Sequence, residues 1–127
     1  NLRLQAKYRQ AEQAEVRFEA HRAEDAEVLL VSFGLASRVC RAAVQTLRAQ
    51  GVRAGLFRPI TLWPFPYREL AAAAAGASRV LVVEMNAGQM LEDVRLALGG
   101  RQTIEFYGRM GAMVVEEEEI VRRCAPA

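Results

Sequence analysis

The sequence has 127 residues, 52% of them hydrophobic and 25% charged, with a formal net charge of +2. That is enough chain for one domain with a real core, burying roughly two thirds of its unfolded surface. The small, interspersed charge gives no basic footprint for nucleic acid, and no apolar stretch is long and uninterrupted enough to span a membrane. Sixteen of the seventeen basic residues are arginines, so Schiff-base chemistry and a phosphate-loop lysine are excluded beyond Lys7. Cys40 and Cys124 are far apart and lack CxxC spacing; with the single His21 they cannot build a standard zinc site. Cys40 reads as a small apolar residue on a helix. The composition suits a reducing cytoplasm, and the N-terminus lacks the order of a signal peptide.

The chain opens Asn1-Leu2 without methionine and enters a helical pattern at once, so it is expected to be an excised piece of a longer polypeptide. Residues 2 to 23 read as a polar helix whose apolar stripe is Leu4, Tyr8, Ala11 and Phe18, interrupted by Glu15. We expect residues 1–24 to connect from a preceding domain and 25–127 to form an α/β domain. His21 is expected on this helix as a surface residue. Val28 to Phe33 reads as a first strand. Gly34 and Ser37 follow, and a helix runs to about Gln50, its inner face Val39/Cys40, Ala43/Val44 and Leu47. Gly51 stops it, and Val52 to Phe57 is the second strand, with Gly55 a point of close approach.

Arg58 to Pro66 is a loop punctuated by Pro59, Pro64 and Pro66, which bar a regular helix or central strand. Pro66 opens a helix over Tyr67 to Ala75, closed by Gly76. Val80 to Glu84 has the composition of a strand buried on both faces. A helix of about Gln89 to Leu98 follows, with core residues Leu91, Val94 and Leu98. Thr103 to Phe106 is a fourth strand, Tyr107 to Gly111 a loop, and Glu116 to Arg123 a last helix, acidic first and basic last as its dipole favours. Four strand-helix alternations predict a three-layer α/β/α fold, an open, mainly parallel sheet of order 2-1-3-4. The Phe33–Ser37 and Glu84–Gly88 loops then face one crevice at the carboxyl edge of the sheet, at the switch point.

Several chemistries fail on the residues present. Gly34 is one glycine where a dinucleotide fingerprint wants three, although Ser37 and free N–H groups offer either an anion seat or a helix N-cap. A phosphoacceptor receiver needs an aspartate where Glu84 stands, an acidic pair where Ser32-Phe33 stands, and a late lysine that is missing. A histidine triad would have to use His21. Glu84 offers a general base or a carboxylate accepting hydrogen bonds from the Asn86–Gln89 turn. Arg109, beside Tyr107, could hold a carboxylate or phosphate, or an acidic residue of a neighbouring subunit. Trp63, Phe65 and Tyr67 make either a contact patch or packing for the sheet.

Three ordered motifs carry a resemblance: Leu56 to Pro66, Val83 to Arg95 and Phe106 to Gly111. Together they resemble the C-terminal region of the α subunit of 2-oxoacid:ferredoxin oxidoreductases, notably the 2-oxoisovalerate and 2-oxoglutarate types. The helical arm before Asp25 resembles that family too. The departure is at Ala112-Met113-Val114-Val115, where relatives often carry a second glycine and a proline turn. The resemblance implies a transketolase C-terminal-like domain. It implies a parent complex that oxidatively decarboxylates a 2-oxoacid to acyl-CoA and reduces ferredoxin, using thiamine diphosphate, Mg and iron-sulfur clusters. Those cofactors would be held by other domains and subunits, with none bound by this chain. No catalytic or metal-ligating residue is therefore assigned. The chain is expected to be an assembly domain, partnered by the other domains and subunits, with ferredoxin and CoA partners of the whole complex. The alternative is a module binding CoA, phosphate or a carboxylate between the first and third strand ends. Candidate ligand or subunit contacts are Ser37, Trp63, Glu84, Asn86, Gly88, Gln89, Tyr107 and Arg109.

Overall fold

A computed structural model describes residues 16–85, 88–108 and 114–126 of the chain. Its elements are β1 (Phe18–His21), β2 (Val28–Ser32), α1 (Leu35–Ala49), β3 (Ala54–Pro59), α2 (Tyr67–Ala73), β4 (Arg79–Glu84), α3 (Leu91–Leu98), β5 (Thr103–Gly108) and α4 (Glu117–Cys124). One sheet holds all five strands in the order β1-β3-β2-β4-β5. β3, β2, β4 and β5 are parallel, and β1 adds to the edge antiparallel, pairing Phe18 with Pro59 and His21 with Leu56. Without β1 the parallel strands stand in the expected 2-1-3-4 order.

The side-chain alternation of each strand splits the core in two. Val28, Leu30, Leu56, Leu81 and Val83 pack on one face against Cys40, Val44 and Leu47 of α1 and Ile120 and Cys124 of α4. Leu29, Val31, Phe57, Val80 and Val82 face the other way, against Leu70 of α2 and Val94 and Leu98 of α3. All five residues of β2 are buried, because helices cover both faces. Each fully buried Leu or Val contributes about 1.5–3 kcal/mol relative to exposure.

The helix expected over 2–23 is corrected at its end. Residues 18–21 are a strand, and residues 1–15 of that arm lie outside the described residues. Phe18, assigned to a helical stripe, instead stacks on Phe57 with centroids 5.2 Å apart. His21 is correspondingly half-buried on the sheet edge, not on a charged surface helix. Phe33 and Val52 fall outside the strands that the sequence assigned them to, and β5 extends through Tyr107 and Gly108.

After β1 the chain turns with Arg22 at φ 54°, passing directly over Gly55. A Cβ on Gly55 would lie 2.6 Å from the Arg22 carbonyl oxygen and 2.9 Å from Ala23 Cα. Both neighbours are backbone and cannot swing aside. Gly55→Ala is therefore expected to cost about 1–3 kcal/mol through overpacking. Urea denaturation checks this; an unchanged midpoint would disprove the close approach. Arg48 at the end of α1 fixes the same corner. Its guanidinium donates to both Asp25 carboxylate oxygens, at 3.0 and 2.7 Å, and to the carbonyls of Arg22 and Ala54.

Candidate functional site

The crevice expected at the switch point lies at the carboxyl ends of the neighbouring strands β2 and β4. Its floor is closed by the Ser32 hydroxyl, which donates to the Val83 carbonyl at 2.8 Å. Gly34, at φ 64°, is the N-cap of α1 and leaves the helix without a side-chain cap. Ser37 is therefore not the N-cap that its position suggested. It lies in the first turn, buried, and its hydroxyl donates back to the Gly34 carbonyl at 2.6 Å.

Glu84 is fully buried at the end of β4. Both of its carboxylate oxygens accept from the Met90 backbone N–H, at 3.0 and 3.1 Å. The acceptor role foreseen for Glu84 is present, but Met90, at the entry to α3, is the donor. Burial pushes the carboxyl above its ordinary range, and the Met90 and Leu91 backbone N–H groups hold the shift down. Two residues on from Val82, Glu84 points to the α2/α3 side of the sheet, whereas Ser37 belongs to the α1 side. The fold thus sets Ser37 and Glu84 at the ends of neighbouring strands but sends these two side chains to opposite faces.

Gly88, at φ 83°, lies beside the Phe106 ring, 3.8 Å from where its Cβ would be. Gln89 is exposed. Tyr107 is buried in β5; its hydroxyl accepts from the Glu116 N–H at 3.1 Å, and Arg123 lies over its ring at 4.7 Å. It joins β5 to the start of α4. Asn86 and Arg109 lie outside the described residues.

The aromatic-proline loop behaves differently. Phe65 is buried under α2 and meets Tyr67 with centroids 5.0 Å apart, so that part of the loop packs the sheet layer. Trp63 is 77% exposed, with Ile60, Leu62, Phe18 and Tyr67 also exposed. Val16, Phe18, Leu62, Trp63, Pro64 and Phe65 border an open depression of about 860 Å³, with Arg68, Glu69 and Asp93 among the charged residues around it. Tyr67 ties this rim to α3 by donating to Asp93 at 2.5 Å.

Neither cysteine offers a nucleophile. Cys40 and Cys124 are buried, and burial pushes both thiols up to about 12. At pH 8 about one thiol in ten thousand is then ionised, and the thiolate is the reactive form. Both are expected to resist iodoacetamide in the native chain and to react fully in urea, read by mass spectrometry; rapid native alkylation would contradict their burial. No group of three or more metal-binding side chains occurs among the described residues. None of their helices is long and apolar enough to cross a membrane. Sequence reasoning missed one further lining, where His21, Arg38, Arg41 and Arg58 border a small pocket. The spacing of Arg38 and Arg41 on one helix face was its available signal; the helical reading of His21 hid the rest.

A profile of the pyruvate:ferredoxin oxidoreductase core domain II matches residues 26–120. The ketoisovalerate oxidoreductase subunit VorB of Methanothermobacter marburgensis is 46% identical over 123 residues, 97% of this chain and 35% of that protein. The 2-oxoglutarate synthase subunit KorA of Methanothermobacter thermautotrophicus is 41% identical over 98 residues, 77% of this chain and 26% of that one. In a solved structure, the 2-oxoglutarate:ferredoxin oxidoreductase of Magnetococcus marinus with 2-oxoglutarate, coenzyme A and succinyl-CoA bound matches with a TM-score of 0.69 at 28% identity. That match covers 84% of this chain and 19% of the other. A split-gene transketolase, an inactive beta4 tetramer, matches with a TM-score of 0.70 at 17% identity, over 84% of this chain and 39% of the other, and shares the fold. The chain spans about a third of the length of the curated VorB relatives. With a parallel sheet of transketolase type and a family match over most of its length, the chain belongs to the core domain II family of the 2-oxoacid:ferredoxin oxidoreductases.

Proposed function

We propose that this chain is a non-catalytic assembly domain of the α subunit of a thiamine-diphosphate-dependent 2-oxoacid:ferredoxin oxidoreductase. The observation that carries this reading is the exposed Trp63 in an apolar depression with charged residues around it. An apolar centre inside a polar rim is the anatomy of a protein contact. Among the described residues at the β2 and β4 ends, Ser32, Ser37 and Glu84 are engaged internally, to Val83, Gly34 and Met90 respectively. That makes the crevice between those ends the weaker choice for CoA, phosphate or a carboxylate. Residues before β1 would lead from a preceding domain. Thiamine diphosphate, Mg and the iron-sulfur clusters would belong to other domains and subunits, and ferredoxin and CoA to the whole complex. Of the two substrate types, the 2-oxoisovalerate one is favoured by the VorB match, which runs over 97% of the chain, where the KorA match runs over 77%.

The test is reconstitution in the parent subunit. The complete α subunit is co-expressed with its thiamine- and cluster-binding partners, and complex formation is followed by size-exclusion chromatography with 2-oxoisovalerate-dependent ferredoxin reduction. An α subunit lacking this domain is expected to lose assembly and turnover together. Full assembly without the domain would remove the proposal.

A further inference from the structure

We propose that a second site, between β1, β3 and the first turns of α1, binds a phosphate group through Arg38, Arg41 and Arg58. It opens toward the β1 edge of the sheet, shares Ser37 with the α1 side of the β2/β4 crevice, and does not depend on the assembly reading. The pocket has a volume of about 200 Å³ and is lined by Glu19 and His21 of β1, Leu56 and Arg58 of β3, and Ser37, Arg38 and Arg41 of α1. Sites for drug-sized ligands run from roughly 300 to 1,000 Å³. This one holds an oxyanion group and not a whole nucleotide.

The charge selects the anion. Three arginines and Glu19 give the lining a net +2, with His21 neutral. A phosphate monoester carries about −1.5 to −2 at neutral pH, a better match than a single carboxylate. Arg58 donates to Glu19 at 2.6 Å, which leaves its other donors available. Arg38 and Arg41 have no carboxylate partner among the described residues and one helical turn separates them, so both can reach the same group. One further feature favours an anion there. The 15-residue α1 has no acidic residue in its first turn and no side-chain cap, so the positive end of its dipole is uncompensated beside Ser37 and Arg38.

His21 also supplies the readout, because it is the single histidine of the chain. Burial, then the charges of Arg41, Arg22 and Arg48, hold its imidazole below the usual range, with Glu24 acting in the opposite direction. Glu19, Arg38 and Arg58 complete the charged groups along the pocket. A bound phosphate offsets the arginines and must move the imidazole's titration upward.

The 127-residue chain, untagged, is titrated at constant ionic strength with inorganic phosphate, with glycerol 2-phosphate and with acetate, while the imidazole resonances are followed by NMR. Phosphate is expected to give a saturable shift with half-saturation near ~1 mM, the range of a few charge-assisted contacts, and an upward-moved His21 titration; acetate is expected to give neither. Binding of the ester as well identifies a phosphorylated ligand, and binding of inorganic phosphate alone identifies the free ion. The double variant Arg38→Gln/Arg41→Gln is expected to lose about tenfold or more in affinity with unchanged thermal stability; Arg58→Gln gives an independent check should that variant misfold. A non-saturable response, equal response to acetate, or undiminished binding in the folded variants would overturn the site.

Discussion

Replacing Glu84 by alanine is expected to lower the stability of the fold by about 2 kcal/mol, while glutamine should stay within about 1 kcal/mol of the native chain. The two substitutions differ in what they leave behind. Glu84 is fully buried and bonded to the Met90 N–H, a backbone donor at the entry to α3. Alanine leaves that donor without its acceptor and opens a void between β4 and α3. Relief from burying a charge returns only part of this loss. Glutamine keeps the volume and one carbonyl oxygen for Met90, and it removes the cost of burying the charge.

The dependence on pH has a definite sign. Because burial raises the Glu84 carboxyl in the folded chain, the folded state binds more protons than the unfolded state between the unfolded value, about 4.3, and the raised folded value. Stability contributed at this position therefore falls as pH rises through that window and is constant above it. The glutamine variant, which does not titrate, should gain on the native chain between pH 4 and pH 7. Urea denaturation at the two values measures the difference; a gain that shrinks with rising pH would contradict the buried carboxyl.

The central sheet was legible because its signal is local. Val28 to Val31 and Val80 to Val83 are short, continuous, β-branched-rich apolar runs, as strands covered on both faces require, and glycines punctuate the helices between them. The edge strand was not legible. Phe18, Glu19 and Ala20 are exposed, so they carry no burial pattern of their own; pairing with β3 fixes them, more than thirty residues away in sequence. Pro59 was read as loop for a related reason. β3 pairs with β2 only as far as Phe57, and beyond it Pro59 faces β1 alone, where a missing N–H is tolerated.

The candidate site shows the same division. That Ser37 and Glu84 flank one switch point follows from the 2-1-3-4 order of the parallel strands, which the alternation of strands and helices allows but does not by itself fix. That they point to opposite faces depends on the parity of Glu84 in β4 and on Met90 closing over it. Tyr107 was read as part of a loop because nothing adjacent announces its partners, Glu116 and Arg123, which arrive from α4. The pocket of His21, Arg38, Arg41 and Arg58 needs β1 in place before its residues meet.

Trp63→Ser is expected to weaken association of the α subunit with its partners by about 30-fold or more while leaving the fold intact. A buried tryptophan at the centre of an interface typically contributes 2 kcal/mol or more, and each 1.4 kcal/mol is tenfold in affinity. The fold should not notice the change, because Trp63 is 77% exposed and the loop's packing comes from Phe65 beneath it. The depression around it joins Phe18 of β1 to Leu62 and Tyr67, so the partner would meet the sheet edge and the start of α2 at once. Leu96, 73% exposed on the outer side of α3, supplies the contrast. Leu96→Ser removes as exposed an apolar side chain outside the depression and should change association less than about twofold. Surface plasmon resonance of the reconstituted subunits, with thermal unfolding alongside, separates the outcomes. Equal losses for the two variants would make the effect a general one of surface hydrophobicity, and no loss for Trp63→Ser would place the contact elsewhere. A fall in melting temperature that tracks the loss would assign Trp63 to the fold instead of the interface.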